Sequence, residues 1–496
     1  MNGFEKYKLS TSIDENINLI KKIFKDDDTL RSRIFQNQHN PEINCCILFI
    51  EGMVDDNIIN ESIIKPLTSS IVEYSGSTLI DDLKNKFIIS SQCEKTKDIL
   101  SIVNAIIDGD TILFLQSFSE GIIISSKGWK TRSIQEPSVE KALRGPREGF
   151  TESLIINLSL IRRKVKTNDL KFKFMNIGNI TQTKLCICYI EGLAREDILA
   201  TLYEQINTIN IDGVLDIKYI QEYIDSEPFS IFETTYNSEK PDVVVSKLLE
   251  GRLAVLLDGT PIVMTLPFIF IENFQSSDDY YLNYYFSSTN RILRLIGFIL
   301  TISIPAVYLS LATFHQEMIP TPLIMSIYAA RLGVPLPTVF ELIGLLLVFE
   351  LLREAGSRMP SYIGQTLSIV GALVLGSAAV DARLVSAPMV IVVGMSGITS
   401  LISPTLGAAS IIIKLIFILL SSILGLYGYI IGISFLLLHL LKLKSFGIPY
   451  MTNLTTLNLQ DLKDTGIRAP IWYMKYRPKY IASKNPIRSN GGKKDE

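Results

Sequence analysis

The chain has 496 residues, 48 of them Lys or Arg and 50 Asp or Glu, for a net charge of −2. Residues 1–290 carry 30 basic and 41 acidic side chains, residues 291–441 only 7 and 5, and residues 442–496 carry 11 and 4. The charge-poor middle has apolar runs long enough to span a hydrocarbon core of ~30 Å, which excludes a purely soluble enzyme. Its 30 Gly, 5 Cys and 47% hydrophobic content exclude collagen-like, disulfide-scaffold and wholly disordered classes.

Residues 1–40 read as a polar, mobile segment with helical pieces. They lack a signal-peptide pattern, so the first half is expected in the cytoplasm, with Cys45, Cys46, Cys93, Cys186 and Cys188 reduced. Residues 41–137 and 180–290 both alternate strand-like and helix-like runs, an α/β pattern. CILFIEGMVDDNII (Cys46–Ile59) matches CICYIEGLAREDIL (Cys186–Leu199) 140 residues on, and IVNAIIDGDTILFL (Ile102–Leu115) matches VVSKLLEGRLAVLL (Val244–Leu257) 142 residues on. Two matches at nearly one offset predict a duplicated lobe; the alternative is the general likeness of strand–turn–helix units. Glu51-Gly52, Asp108-Gly109, Glu191-Gly192 and Asp258-Gly259 read as tight turns, without the surroundings of a P-loop or dinucleotide site.

Residues 138–179 form a helical linker. Its motif is Arg144, Gly145, Pro146, Arg147 and Glu148, with Pro146 expected in the first turn of a helix ending at Arg162, Arg163, Lys164 and Lys166. These cations are candidates for phosphate or lipid headgroups, or for a salt-bridged face between subunits. The acidic N-terminal half argues against nucleic acid.

Residues 291–441 form the expected transmembrane domain. Leu295–Phe314 is a span relaxed at Pro305. Pro322–Leu332 and Thr338–Leu352 are each shorter than the ~20 residues a span needs, so they form a broken span, a re-entrant pair, or an interfacial helix with a short span. Tyr362–Val380 and Leu384–Ile402 are spans, and Ile411–Leu441 is one tilted span or a hairpin near Gly425 and Gly428. Arg353, Arg358, Lys442 and Lys444 belong on the cytoplasmic side, which favours four or six crossings. The basic tail 442–496 then shares a side with the acidic lobes and is expected to dock on its own or a neighbouring module.

At 100° per residue, one side of Ser361–Val380 is nearly all small. Close helix packing selects such a stripe, and so does a pore. Gly364, Gln365, Ser368, Gly371, Ala372, Leu375 and Ala379 are the pore-lining candidates, with Leu375 as a gate that closes by dewetting. Glu350 with Arg353, and Glu354 with Arg358, have the spacing of ion pairs on one helix face. They make either a salt-bridged helix end at the membrane face or an acidic vestibule, near Glu341. Lys414 is expected to snorkel. Cys186-x-Cys188 has no ligating partner and His39, His315 and His439 are far apart, so no catalytic, metal or cofactor site is predicted.

The linker block LRGPREGFTESLIINLSLIRRKVK, Asp258–Tyr281, Phe349–Val393 and the tail blocks FGIPYMTN and DLKDTGIRAPIWYMKYRP resemble, in order, the A-subunit family of bacterial spore germinant receptors, over roughly residues 40–480. The resemblance implies a non-enzymatic subunit of a nutrient-sensing complex in the spore inner membrane, working with a transporter-like B subunit and a lipoprotein C subunit. It implies a homo-oligomeric, germinant-gated channel for monovalent cations, set in membrane lipid. Ser377 departs from the Gln usual in the family, and Asp381-Ala382-Arg383 from a more apolar or Gly-containing turn. The expected architecture is multi-domain: duplicated cytoplasmic α/β lobes, a 4–6-span α-helical membrane domain and a basic C-terminal tail. A secondary transporter is the alternative, disfavoured because the visible repeat lies outside the spans.

Overall fold

The computed structural model describes residues 7–71, 79–88, 90, 92–128, 140, 144–358, 376–452, 461–481 and 485–488. The first lobe contains α1 (Ile13–Ile23), β1 (Leu30–Gln36), β2 (Asn44–Ile50), β3 (Cys93–Thr96), α2 (Ile99–Ile107), β4 (Thr111–Leu115) and β5 (Gly121–Ile124). The second contains α3 (Leu154–Lys164), β6 (Leu170–Ile177), β7 (Thr183–Ile190), α4 (Glu196–Thr208), α5 (Ile217–Ile224), β8 (Tyr236–Ser238), α6 (Pro241–Leu249), β9 (Leu253–Leu257) and β10 (Val263–Leu266). The two antiparallel sheets run β1-β2-β4-β5-β3 and β6-β7-β9-β10-β8, one order repeated.

The registers repeat too. Cys46 lies between Ile34 and Phe114, and Cys186 between Phe174 and Leu256. At the other edge Thr96 faces Gly121 and Ser238 faces Val263. In the first turn of the first helix of each lobe, a buried Asn takes both backbone groups of one upstream residue: Asn16 closes on Ser10 at 2.8 and 2.7 Å, and Asn157 on Thr151 at 2.8 and 2.6 Å. Gly52, Gly109, Gly192 and Gly259 take φ of +84°, +88°, +79° and +94°, as tight turns at these positions require.

Two boundaries differ from the sequence reading. The segment 1–40 supplies α1 and β1 to the first lobe, because Ile13, Ile17, Ile20 and Phe24 form an apolar stripe buried against Cys46, Leu48 and Phe114. The segment 138–179 likewise supplies α3 and β6 to the second lobe, where Leu154, Leu158 and Ile161 pack on Cys186 and Cys188. The linker helix starts at Leu154 rather than Pro146. Leu154 N–H donates to Asp258 Oδ1 at 3.0 Å, and Gly145, at φ +108°, lies against the Tyr281 ring where a side chain would clash.

The other face of the second sheet merges with the helical half through Phe268, Phe270, Phe274, Phe298 and Tyr450. That half contains α7 (Tyr284–Thr313), α8 (Thr321–Arg331), α9 (Thr338–Arg358), α10 (Ala387–Ser400), α11 (Gly407–Leu424) and α12 (Leu426–Lys442). Among the described residues, Tyr284–Thr313 and Pro404–Leu424 are long and apolar enough to cross a membrane, and α10 and α12 are apolar but shorter. Pro305 lies inside α7 and leaves the Thr301 carbonyl without its usual donor. Ser396 Oγ on α10 donates to that carbonyl at 3.0 Å, so the break becomes a helix–helix contact. The Ile411–Leu441 stretch is a hairpin, since Gly425 at φ +61° ends α11 and starts α12. Gly428 and Gly432 let the two arms close: a Cβ at 428 would sit 2.1 Å from Leu420 O.

Candidate functional site

The second lobe and the helices meet at the start of α7, where arginine is buried. Arg291 is 1% exposed. Its Nε donates to Asp279 Oδ2 at 3.0 Å and its Nη1 to Asp464 Oδ1 at 2.9 Å and to Thr465 O at 3.2 Å. Arg294, one turn on, donates to the same Asp279 at 2.8 Å and to Phe274 O at 3.0 Å. Tyr280 OH donates to Asp464 Oδ2 at 2.9 Å, and its ring lies under Arg291 and Arg468. Burial pushes the Asp464 carboxyl up, against the pull of Arg291. Buried charges persist only when paired and hydrogen-bonded, and here three chain segments share the pairing. A cleft of about 600 Å³ opens beside the junction, lined by Ser276, Ser277, Arg294 and Ser403.

The described residues of the basic tail lie on the second lobe of the same chain. Ser445 Oγ donates to Thr234 O at 2.6 Å and accepts from Phe268 N–H at 3.0 Å. Tyr450 OH donates to Glu233 O at 3.0 Å. Arg477 Nε reaches Leu249 O at 2.8 Å and Arg195 Nη1 reaches Tyr480 O at 3.0 Å. Beneath the tail, Arg252 binds Glu272 and Glu250, and Lys247 binds Glu272 at 2.5 Å. Burial alone raises the Glu250 carboxyl, but Arg252, Lys247 and the tail's Arg488 hold it below its usual range.

Among the helices, Glu350–Arg353 and Glu354–Arg358 each close at 2.6 Å, matching their spacing. Lys414 does not snorkel: it is 2% exposed and reaches Glu350 Oε1 at 3.3 Å across the α9–α11 contact. Glu341 accepts from Ser386 N–H at 2.5 Å and Ser386 Oγ at 2.6 Å, capping the start of α10. α7 is also tied to α10 by Thr301–Thr399 at 2.9 Å and to α12 by Tyr429–Ser303 at 2.8 Å. His439 on α12 meets Ser230 of the second lobe at 3.1 Å.

Of the predicted stripe, Gly364, Gln365, Ser368, Gly371, Ala372 and Leu375 lie outside the described residues. Ala379 is at a helix end, where its carbonyl accepts from Leu384 and Val385 N–H at 2.9 and 3.3 Å. In the linker motif Arg144 and Arg147 are exposed, Pro146 is half-buried, and Glu148 pairs with Arg163 at 3.5 Å and Lys164 at 3.2 Å. Arg162, a candidate for headgroups or for a salt-bridged face between subunits, is instead 1% exposed and pairs with Asp27 of the first lobe at 2.5 Å. Spacing gave no sign of Asp27, Asp279 or Asp464 as partners.

A bilobal α/β module, tied by buried arginines to helices suited to a membrane, defines a membrane-associated protein. The chain belongs to the Bacillus/Clostridium GerA spore germination protein family, whose profile matches residues 18–480. It is 38% identical over 490 residues to spore germination protein KA of Bacillus subtilis (strain 168), covering 98% of this chain and 90% of that one. It is 42% identical over 438 residues to the uncharacterized membrane protein YfkQ of the same organism, covering 87% and 84%. Spore germination protein GerLA of Bacillus cereus is 33% identical over 443 residues, covering 89% and 90%. The crystal structure of the N-terminal domain of the A subunit of the Bacillus megaterium spore germinant receptor GerK3 is 26% identical, with a TM-score of 0.42, covering 53% of this chain and 98% of that one. The family read from the sequence blocks is the family found.

Proposed function

We propose that the chain is the A subunit of a nutrient germinant receptor in the spore inner membrane, a signalling rather than catalytic protein, with both terminal regions in the spore core. In this reading it oligomerises with itself, crosses the membrane four to six times and forms a germinant-gated path for monovalent cations. It works beside a transporter-like B subunit and a lipoprotein C subunit. The two lobes descend from one duplicated unit, a reading supported by their common strand order and matched registers.

The observation that carries the coupling is Arg291, held at once by Asp279 of the second lobe and Asp464 of the tail. A partner that displaces the lobe must drag the start of α7. The Ser396–Thr301 and Tyr429–Ser303 bonds then pass that shift to α10 and α12.

The test is cation flux from liposomes holding this chain with its partner subunits. Wild type should conduct only with germinant, and Leu375→Ser should leak without it. Arg291→Met should assemble and yet lose the germinant response. No flux in any combination would leave the alternative, a regulatory subunit without its own pore.

A further inference from the structure

The two sheets have equivalent outer edges, β1 and β6, and one of them is covered. Along β6 lies the loop Asp26–Asp28 of the first lobe: Asp28 N–H donates to Phe172 O at 2.9 Å, and Phe174 N–H donates to Asp28 Oδ2 at 2.9 Å. Cations hold the loop's carboxylates, Arg162 on Asp27 at 2.5 Å and Lys173 on Asp26 at 2.8 Å.

The repeat carries the same receptor to β1. Ile34 faces Cys46 as Phe174 faces Cys186, so Ser32 and Ile34 stand where Phe172 and Phe174 stand. Arg33 takes the place of Lys173, and Lys21 on α1 that of Arg162 on α3. Arg31 is held by Glu51 as Lys171 is by Glu191. Yet Arg31, Ser32, Arg33 and Ile34 are all exposed, Ile34 by 56%. Among the described residues nothing bonds the outward Ser32 carbonyl or Ile34 N–H, and neither Lys21 nor Arg33 forms an ion pair. An open strand edge is a template for another chain.

We propose that the β1 edge is the docking site for an extended acidic segment of another protein, seated along Ser32–Ile34 as Asp26–Asp28 is seated along Phe172–Phe174. Lys21 and Arg33 receive its carboxylates, and the strand edge receives its backbone. The occupant is not this chain's loop from a second copy, because Asp26–Asp28 is the sequence's one run of three acids and already lies on β6. The edge stands apart from the Arg291 junction, so its readouts are independent of ion flux.

The full chain in detergent is titrated with a fluorescent peptide of its own loop sequence, FKDDDTL, and with FKNNNTL. Saturable binding of the acidic peptide is expected, weakened about two- to thirtyfold in the Asn peptide and in the Lys21→Glu/Arg33→Glu chain, as two lost surface ion pairs predict. Ile34→Pro removes the outward N–H without touching a ladder bond, and should abolish binding with the melting temperature kept. Equal binding of both peptides, no saturable binding, or indifference to Arg33→Glu and Ile34→Pro overturns the proposal. In native membranes, a photo-crosslinker at Ser32 should capture a segment that sequencing shows to be acidic and foreign to this chain. Capture of this chain's own sequence, or of no protein, also overturns it.

Discussion

Asp279→Ala tests the junction at its centre. The Asp279 carboxylate is fully buried and receives Arg291 at 3.0 Å, Arg294 at 2.8 Å and Ser276 N–H at 3.1 Å. Removing one partner of a buried pair costs about 3–5 kcal/mol, because the other charge stays in the interior. Arg291 keeps Asp464 and Thr465 O, which reduces its share to about 2 kcal/mol, and the partly exposed Arg294 adds less than about 1 kcal/mol. The expected loss is about 2–3 kcal/mol, or roughly 2–3 °C in a thermal unfolding scan of the detergent-solubilised chain of 496 residues. Arg291→Met should be destabilising on its own, and the double variant should recover about 1–3 kcal/mol against the sum of the two. Single effects that add within about 0.5 kcal/mol would refute the coupling, whatever their size.

Burial pushes the Cys45 and Cys46 thiols up to about 12, and Cys186 and Cys188 higher still. Iodoacetamide at pH 8 should therefore label the half-exposed Cys93 first and the others only after denaturation. Gly428→Leu should prevent closure of the α11–α12 hairpin and sharply lower the yield of folded chain, while Gly394→Leu, with open space at its Cβ, should not. Lys414→Met should leave Glu350 short of a partner and destabilise the chain, and adding Glu350→Gln should restore part of the loss in the same scan. Burial raises the Asp225 carboxyl above the usual 3.8, against the donation from Thr234 Oγ1. The native chain then keeps a proton that the unfolded chain has lost, so this group's contribution falls as pH rises from 3.8 through the raised value. Asp225→Asn should match wild type near pH 3 and melt higher at pH 7; the reverse order would refute the sign.

The sequence by itself determined what is local or periodic. Alternating apolar runs pointed to the α/β lobes, and the 140- and 142-residue offsets to a likeness between them, while the pairing of Cys46 with Phe114 and of Cys186 with Leu256 came only with the fold. Spacing along one helix gave Glu350–Arg353 and Glu354–Arg358. It misassigned α1 and β1 to a polar tail because their charges outnumber a narrow apolar stripe, which shows its use only when a sheet lies beneath it. The tertiary structure alone decided which buried cations meet which acids: Arg162 and Asp27 are 135 residues apart, Arg291 and Asp464 173, and Lys414 and Glu350 64. No periodicity encodes those distances. A charge in the interior is tolerated only where the fold delivers its partner, so the identity of the partner is a property of the fold and not of the segment.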